Sequence, residues 1–264
     1  MYLSHWGLAD SPFSKERHAR EFFRAPPQDE ALARLDYLVN QRRRLGLLCG
    51  PTGVGKTLLL DVFAQQLRRE DRQVAFTSLV DRSARELLWE IADQLGATPG
   101  RDEDVPLLWQ RVADRVAQNR WQKLDTVLLV DDADAARPDI LATFARLVEV
   151  DPSPDARWTI ILATSEDGSR RLGERLLDRV ALRVDLTKWL PEDTIEYVRQ
   201  TLAAAGGDAS IFEDNALRSL HETADGMPRR INRLVDLALV AGAGRQLAQL
   251  DAQTIESAAE LAVV

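Results

Sequence analysis

The chain is 264 residues long, 45% hydrophobic and 29% charged, and its 42 acidic against 34 basic side chains leave a net charge of −8. That length can bury a core close to the size at which one gives way to two, and the negative balance weighs against broad electrostatic binding of nucleic acid. No apolar stretch nears 18 residues, Met1–Trp6 lacks a secretory leader, and one Cys49 with three scattered histidines excludes an internal disulfide and disfavours zinc, so the expectation is a cytoplasmic protein with no transmembrane segment.

Residues 1–44 read as an N-terminal segment packing on the core. Aromatics at Tyr2, Trp6, Phe13, Phe22 and Phe23 are interrupted by Pro12 and Pro26-Pro27. A helix follows over Asp29–Arg43, with Leu32, Leu35, Leu38 and Val39 on its apolar face. Arg42-Arg43-Arg44 suits the negative end of that helix dipole and reads as a solvated helix end. Leu45–Cys49 is a short buried strand, with Cys49 a strand residue and not a nucleophile.

The next eight residues, Gly50, Pro51, Thr52, Gly53, Val54, Gly55, Lys56 and Thr57, match G-x-x-x-x-G-K-[ST]. Gly50, Gly53 and Gly55 lack a Cβ, so the backbone can turn tightly and present N–H groups to phosphate oxygens. Lys56 supplies a point charge for the β- and γ-phosphates, and the Thr57 hydroxyl is placed to ligate Mg²⁺. The loop opens a helix whose free N–H groups favour an anion. That helix is predicted over Lys56–Arg68, with Leu58, Leu59, Val62, Phe63 and Leu67 near one face, and Leu58 closes the nucleotide-binding stretch.

Val74–Phe76 reads as a second strand. Ser83 and Glu86 have capping-box spacing at the start of a helix to Leu95, with Leu87, Leu88, Ile91 and Leu95 inward and Gly96 to stop it. A helix over Val105–Asn119 precedes the apolar run Thr126–Val130, which ends in Asp131 and Asp132. Carboxylates at the carboxyl end of a buried parallel strand project into the crevice where such sheets bind ligands. Asp131 is therefore expected to hold Mg²⁺, partly through water, and Asp132 to polarise the attacking water as general base. The plainer alternative is a surface turn, with Asp134 a third solvated charge. Helices at Pro138–Glu149 and Arg170–Leu177 and strands at Thr159–Ala163 and Val180–Leu186 complete an α/β domain over 45–187. From 188 to 264 strand signals disappear, and helices over Pro191–Ala204, Glu213–Thr223, Pro228–Val240 and Asp251–Leu261 form a separate bundle.

A parallel sheet with a phosphate loop and a helical unit behind it resembles the AAA+ ATPases. Tyr2-Leu3, Trp6-Gly7-Leu8, Pro12-Phe13, Asp29-Glu30-Ala31-Leu32 and Gly226-Met227-Pro228-Arg229-Arg230-Ile231-Asn232 narrow the match to the ExeA/GspA family of general-secretion ATPases. The resemblance covers nearly the whole chain. It implies an AAA+ P-loop NTPase with a parallel five-stranded sheet and a C-terminal helical lid, ATP and Mg²⁺ as cofactors, and self-association, for example as a hexamer. It implies ATP hydrolysis driving assembly or remodelling of a protein partner, such as a membrane secretion or pilus apparatus.

Residue by residue, Arg229 resembles the family's sensor-2 arginine, reaching the γ-phosphate from a turn shaped by Gly226 and Pro228. Thr164 resembles sensor 1, with Ser165 the other candidate; the Asn or Gln often seen there is missing. Arg179 stands where relatives carry an arginine acting on a neighbour's nucleotide, although Arg170, Arg171, Arg175 and Arg183 make an ordinary surface arginine an equal reading. Pro26, Pro27 and Gln28 are implied to pack near the adenine, and no Asn-Lys-x-Asp guanine motif competes. Fuller relatives add a transmembrane helix and a peptidoglycan-binding domain, neither of which is present in residues 1–264, so the membrane connection is expected from a partner or the task differs. Two other readings are a DNA-associated regulator resembling the TniB-type ATPases, which the net charge disfavours, and a slow nucleotide switch, because Asp132 is one methylene shorter than the Glu common at that position.

Overall fold

The computed structural model describes residues 2–13 and 22–262. In chain order the first half comprises α1 (Tyr2–Trp6), α2 (Pro26–Asn40), β1 (Leu45–Cys49), α3 (Lys56–Arg69), β2 (Gln73–Ser78), α4 (Ala84–Gln94), α5 (Val105–Trp121) and β3 (Thr126–Asp131). The second comprises α6 (Pro138–Leu147), β4 (Trp158–Thr164), α7 (Glu174–Leu177), β5 (Leu182–Asp185), α8 (Pro191–Ala204), α9 (Asp214–Ala224), α10 (Pro228–Gly244) and α11 (Ala252–Ala262). Two compact units result. One holds Gln28–Thr52 and Lys56–Leu186; the other holds the described residues up to Pro27, the turn Gly53–Gly55 and the chain from Thr187 onward.

The first unit is built on a parallel sheet of order β2-β3-β4-β1-β5. All residues of β1, β3 and β4 are buried, as expected of central strands covered on both faces. The parallel register brings the strand ends level: Cys49 pairs with Thr164, and Ser78 with Asp131, so residues flanking the phosphate loop and the acids reach the same edge of the sheet. Helix α2 lies close on β1, where Gly46 leaves room for the Leu38 side chain. Helix α4 starts with the expected capping box, Glu86 N–H to Ser83 Oγ at 3.2 Å and Ser83 N–H to Glu86 Oε2 at 2.9 Å. Asn119 at the end of α5 donates to Thr126 Oγ1 at 3.0 Å, tying that helix to the start of β3.

Three local expectations are corrected. The buried face of α3 is Leu59, Leu60, Phe63, Ala64 and Leu67; Leu58 and Val62 are only half-buried, because the sheet selects the face and apolar spacing alone left two choices. The helix expected over Arg170–Leu177 is a 3-10 turn (Asp167–Leu172) and the short α7, broken at Gly173, whose φ of 77° no continuous helix tolerates. Strand β5 is shorter than Val180–Leu186, since Val180 closes a turn with its N–H on Leu177 O.

The helical unit buries Trp6, Phe13, Tyr197, Leu217, Leu220, Val235, Leu239, Leu250 and Ile255 together. The N-terminal segment differs from the expected 1–44 block on the ATPase core: it divides at Pro27, with the described residues before it inside this helical unit. The reason is a fit for Trp6. Its indole occupies the space above Gly242 of α10, where a Cβ would stand 2.9 Å from Trp6 Cζ2, and its Nε1 donates to Leu239 O at 2.8 Å. Tyr2 donates to Asp236 at 3.2 Å, and Ala9 N–H meets Ala205 O at 2.8 Å. An aromatic truncated at such a position costs about 3–5 kcal/mol.

Candidate functional site

In the sheet unit, β1, β3 and β4 deliver their carboxyl ends to one edge. After Cys49 the chain turns through Gly50-Pro51-Thr52, and Lys56 begins α3. The Lys56 ammonium donates to Gly50 O at 2.8 Å and Pro51 O at 3.1 Å, folding the lysine back along the loop. Burial pushes its pKa below the usual lysine range, against the pull of Asp131, Asp134 and Asp132. Thr57 Oγ1 donates to Asp131 Oδ2 at 2.5 Å. Asp131 is buried, and its other oxygen accepts the Asp132 N–H at 3.0 Å. A hydroxyl and a carboxylate joined in this way beside an ammonium are hard oxygen donors of the kind Mg²⁺ takes while keeping several waters. The residues therefore fit a magnesium-bound phosphate chain.

Asp132 leaves β3 in the left-handed region, φ 50° and ψ 41°, a conformation Asp tolerates better than most residues. It is exposed, and Ser78 Oγ at the end of β2 donates to its Oδ2 at 3.4 Å. Although the residue is exposed, partial desolvation of its carboxylate by the surrounding turn, with repulsion from Asp131, raises its pKa above the ordinary aspartate value. A carboxylate lifted toward its operating pH is a better proton acceptor.

At the end of β4, Thr164 is buried and donates to Ser165 O at 3.2 Å. The Ser165 hydroxyl donates to Asp134 Oδ2 at 2.5 Å and accepts the Gly168 N–H at 3.0 Å. Asp134 is thus half-buried and engaged, unlike the solvated charge that was one reading of the sequence. Burial alone would raise its pKa, but the bonds from the Ser165 hydroxyl and nearby N–H groups outweigh burial and hold it below the ordinary value. Sequence spacing missed this role because the partners lie 31 residues apart. The only local trace was a third acid in Asp-Asp-Ala-Asp.

In the helical unit, Met227 caps α10 and Pro228 occupies its first position, so the Arg229 N–H is one of the unpaired donors of a helix start. It donates to Gly53 O at 3.2 Å. A Cβ on Gly53 would lie 3.1 Å from Arg229 Cβ and 3.5 Å from its Cδ, and Gly53 and Gly55 have φ of 89° and 106°, so both glycines are required by backbone conformation. Gly226 is equally constrained: φ is 64°, and its missing side chain admits the Trp189 carbonyl, whose N–H in turn donates to Gly226 O at 3.0 Å.

The structure joins Lys56, Thr57, Asp131 and Asp132 in one cluster and sets Thr164 beside Cys49. Arg179 lies elsewhere in the sheet unit, donating to Ala145 O at 2.8 Å and pairing with Glu149 at 2.9 Å, which gives it an anchoring role at the end of α6. Gln28, at the start of α2, is buried with its Oε1 lacking a hydrogen-bond partner. Cys49 is buried and its thiol pKa raised by that burial, in keeping with a strand residue.

Known proteins resemble this chain in sequence and in fold. The profile of the AAA domain family matches residues 39–172. General secretion pathway protein A of Aeromonas hydrophila is 29% identical over 249 residues, 93% of this chain and 45% of that protein. Replication-associated recombination protein A of Escherichia coli (strain K12) is 25% identical over 210 residues, 76% of this chain and 40% of that one. The chain thus spans less than half the length of these curated relatives. Among solved structures, Cdc6p from Pyrobaculum aerophilum superposes with a TM-score of 0.75 at 18% identity, over 96% of this chain and 70% of that one. The Aeropyrum pernix ORC1 protein in complex with DNA gives 0.71 at 15%, over 95% and 68%. At those identities the likeness shows the fold alone: a parallel five-stranded P-loop sheet of AAA+ type with C-terminal helices.

Proposed function

The chain belongs to the AAA domain family, and on that premise we propose that it binds ATP with Mg²⁺ and hydrolyses it to drive assembly or remodelling of a protein partner. The observation that carries the reading is the Thr57–Asp131 bond beside Lys56. Bound Mg²⁺ and ATP supply a γ-phosphoryl group whose charge the metal helps neutralise. The loop N–H groups from Gly53 to Thr57 and the Lys56 ammonium hold the phosphates. Thr57 and Asp131 hold the metal, and Asp132 orients a water and accepts its proton. By the family resemblance alone, Arg229 is the residue that answers the γ-phosphate. Gln28 supports adenine as the base: a buried, unpaired acceptor calls for a donor, which adenine's 6-amino group provides and guanine's 6-oxo group does not. Gln28→Leu should accordingly lower ATP affinity several-fold while leaving GTP affinity, measured by competition, unchanged.

Similarity to General secretion pathway protein A along 93% of the chain favours a partner in secretion over a DNA-bound one. The test is steady-state ATPase activity across a protein concentration series, beside Lys56→Ala and Arg179→Ala. A specific rate that rises with concentration and is lost in both variants supports an oligomeric ATPase with a shared site, where such an arginine contributes roughly 10³–10⁵ in rate. A flat rate with Arg179→Ala unchanged leaves Arg179 as the α6 anchor. A second reading, a slow switch, rests on Asp132: short, left-handed and bonded to Ser78 only at 3.4 Å. Tight ATP binding with negligible turnover at every concentration would select it. Salt-sensitive retention on DNA would move the reading to a DNA-associated regulator.

A further inference from the structure

Asp134 has no part in the chemistry just assigned, yet it is the hub of the β4 end. Its Oδ2 takes the Ser165 hydroxyl at 2.5 Å and the Ser165 N–H at 3.4 Å. Ser165 Oγ, donating to Asp134 and accepting from Gly168, is committed on both sides. Gly168 is without a side chain for a reason: a Cβ there would overlap the Asp134 carboxylate. The arrangement binds the turn after β3 to the turn after β4 through charge-assisted bonds, which are shorter and stronger than neutral ones. Between them stands Thr164, paired in register with Cys49, the residue immediately before the phosphate loop. Asp134 also acts electrostatically on Lys56.

We propose that Asp134 is a positioning residue that fixes the end of β4, so that Thr164 stands beside the phosphate loop and distinguishes a nucleoside triphosphate from a diphosphate. This rests on the ATP-binding reading above. Gly168 belongs to the same device, because only a glycine there lets the carboxylate occupy its seat.

The experiment is equilibrium binding of fluorescent ADP and a fluorescent non-hydrolysable ATP analogue, with Mg²⁺, to the full chain and to Asp134→Ala, Asp134→Asn and Gly168→Ala. The native chain is expected to prefer the triphosphate. Asp134→Ala and Gly168→Ala should each erode that preference by about tenfold, the worth of one charge-assisted bond, with ADP affinity unchanged. If Asp134→Ala fails to fold, the isosteric Asp134→Asn and Gly168→Ala, made on the opposite turn, put the same question. Variants that keep the native ratio, or that lose both nucleotides equally as a merely structural lesion would, overturn the proposal and leave the ATP site standing. A native chain that binds both nucleotides equally overturns it as well. A native chain that binds neither overturns the ATP reading and this inference together.

Discussion

Asp132 and Asp134 are two residues apart on one turn, and their surroundings push them in opposite directions. Asp132 faces Asp131 and a single distant hydroxyl, and its carboxyl is held above the ordinary range. Asp134 turns to the end of β4, where Ser165 gives it a hydroxyl and an N–H, and it is held below that range. The first is a charge the fold tolerates for chemistry; the second is a charge the fold uses. Stability and reactivity are therefore separable within one short turn, as expected where titratable groups are tuned by neighbours and not by residue type.

The largest effect that can test this division lies next to it. Lys56→Ala removes the counter-charge that Asp131, Asp134 and Asp132 share, and ATP turnover should fall at least about a hundredfold, read as phosphate release. If turnover survives, the acids at this edge are not a phosphate site and the contrast loses its meaning. Asp132→Glu comes next. If a short side chain limits reach to the water, one added methylene should raise kcat about tenfold with little change in KM. An unchanged kcat would show that the left-handed backbone at Asp132, and not side-chain length, sets the distance.

How much of this was legible in the sequence depends on the range of the interactions. Strand β1, the phosphate loop, the capping box at Ser83 and helix α8 depend on neighbours within a few residues, and their bounds or caps appear where local pattern places them. The placing of Asp131 and Asp132 at the end of a buried strand was legible because the apolar run Thr126–Val130 leads straight into them. The role of Asp134 was not, since Ser165 and Gly168 approach it only once β3 and β4 pair. The same holds for Trp6, whose seat on Gly242 lies 236 positions along the chain. Helix α3 shows the intermediate case: its existence is local, but the choice of Leu60 and Ala64 over Leu58 and Val62 belongs to the sheet beneath it.

The smallest effect is the sharpest test of the contrast, because its sign differs between the two acids. In magnesium-free buffer at neutral pH, Asp132→Asn removes a carboxylate that is repelled in the folded state, so the melting temperature should rise by a few degrees at most. Asp134→Asn removes one that is better stabilised folded than unfolded, so the melting temperature should fall. Acid erases both differences. The native pKa of Asp134 lies below its unfolded value of about 3.9, so its contribution is full above that value and is lost as pH falls through the depressed native pKa. For Asp132 the native pKa lies above the unfolded value, so its penalty is full above the raised pKa and fades as pH falls toward about 3.9. The Asp132→Asn gain should therefore vanish first, and the Asp134→Asn deficit should persist to lower pH. Melting curves between pH 7 and about 3 that instead showed both variants shifting together would mean that the two carboxylates share one environment.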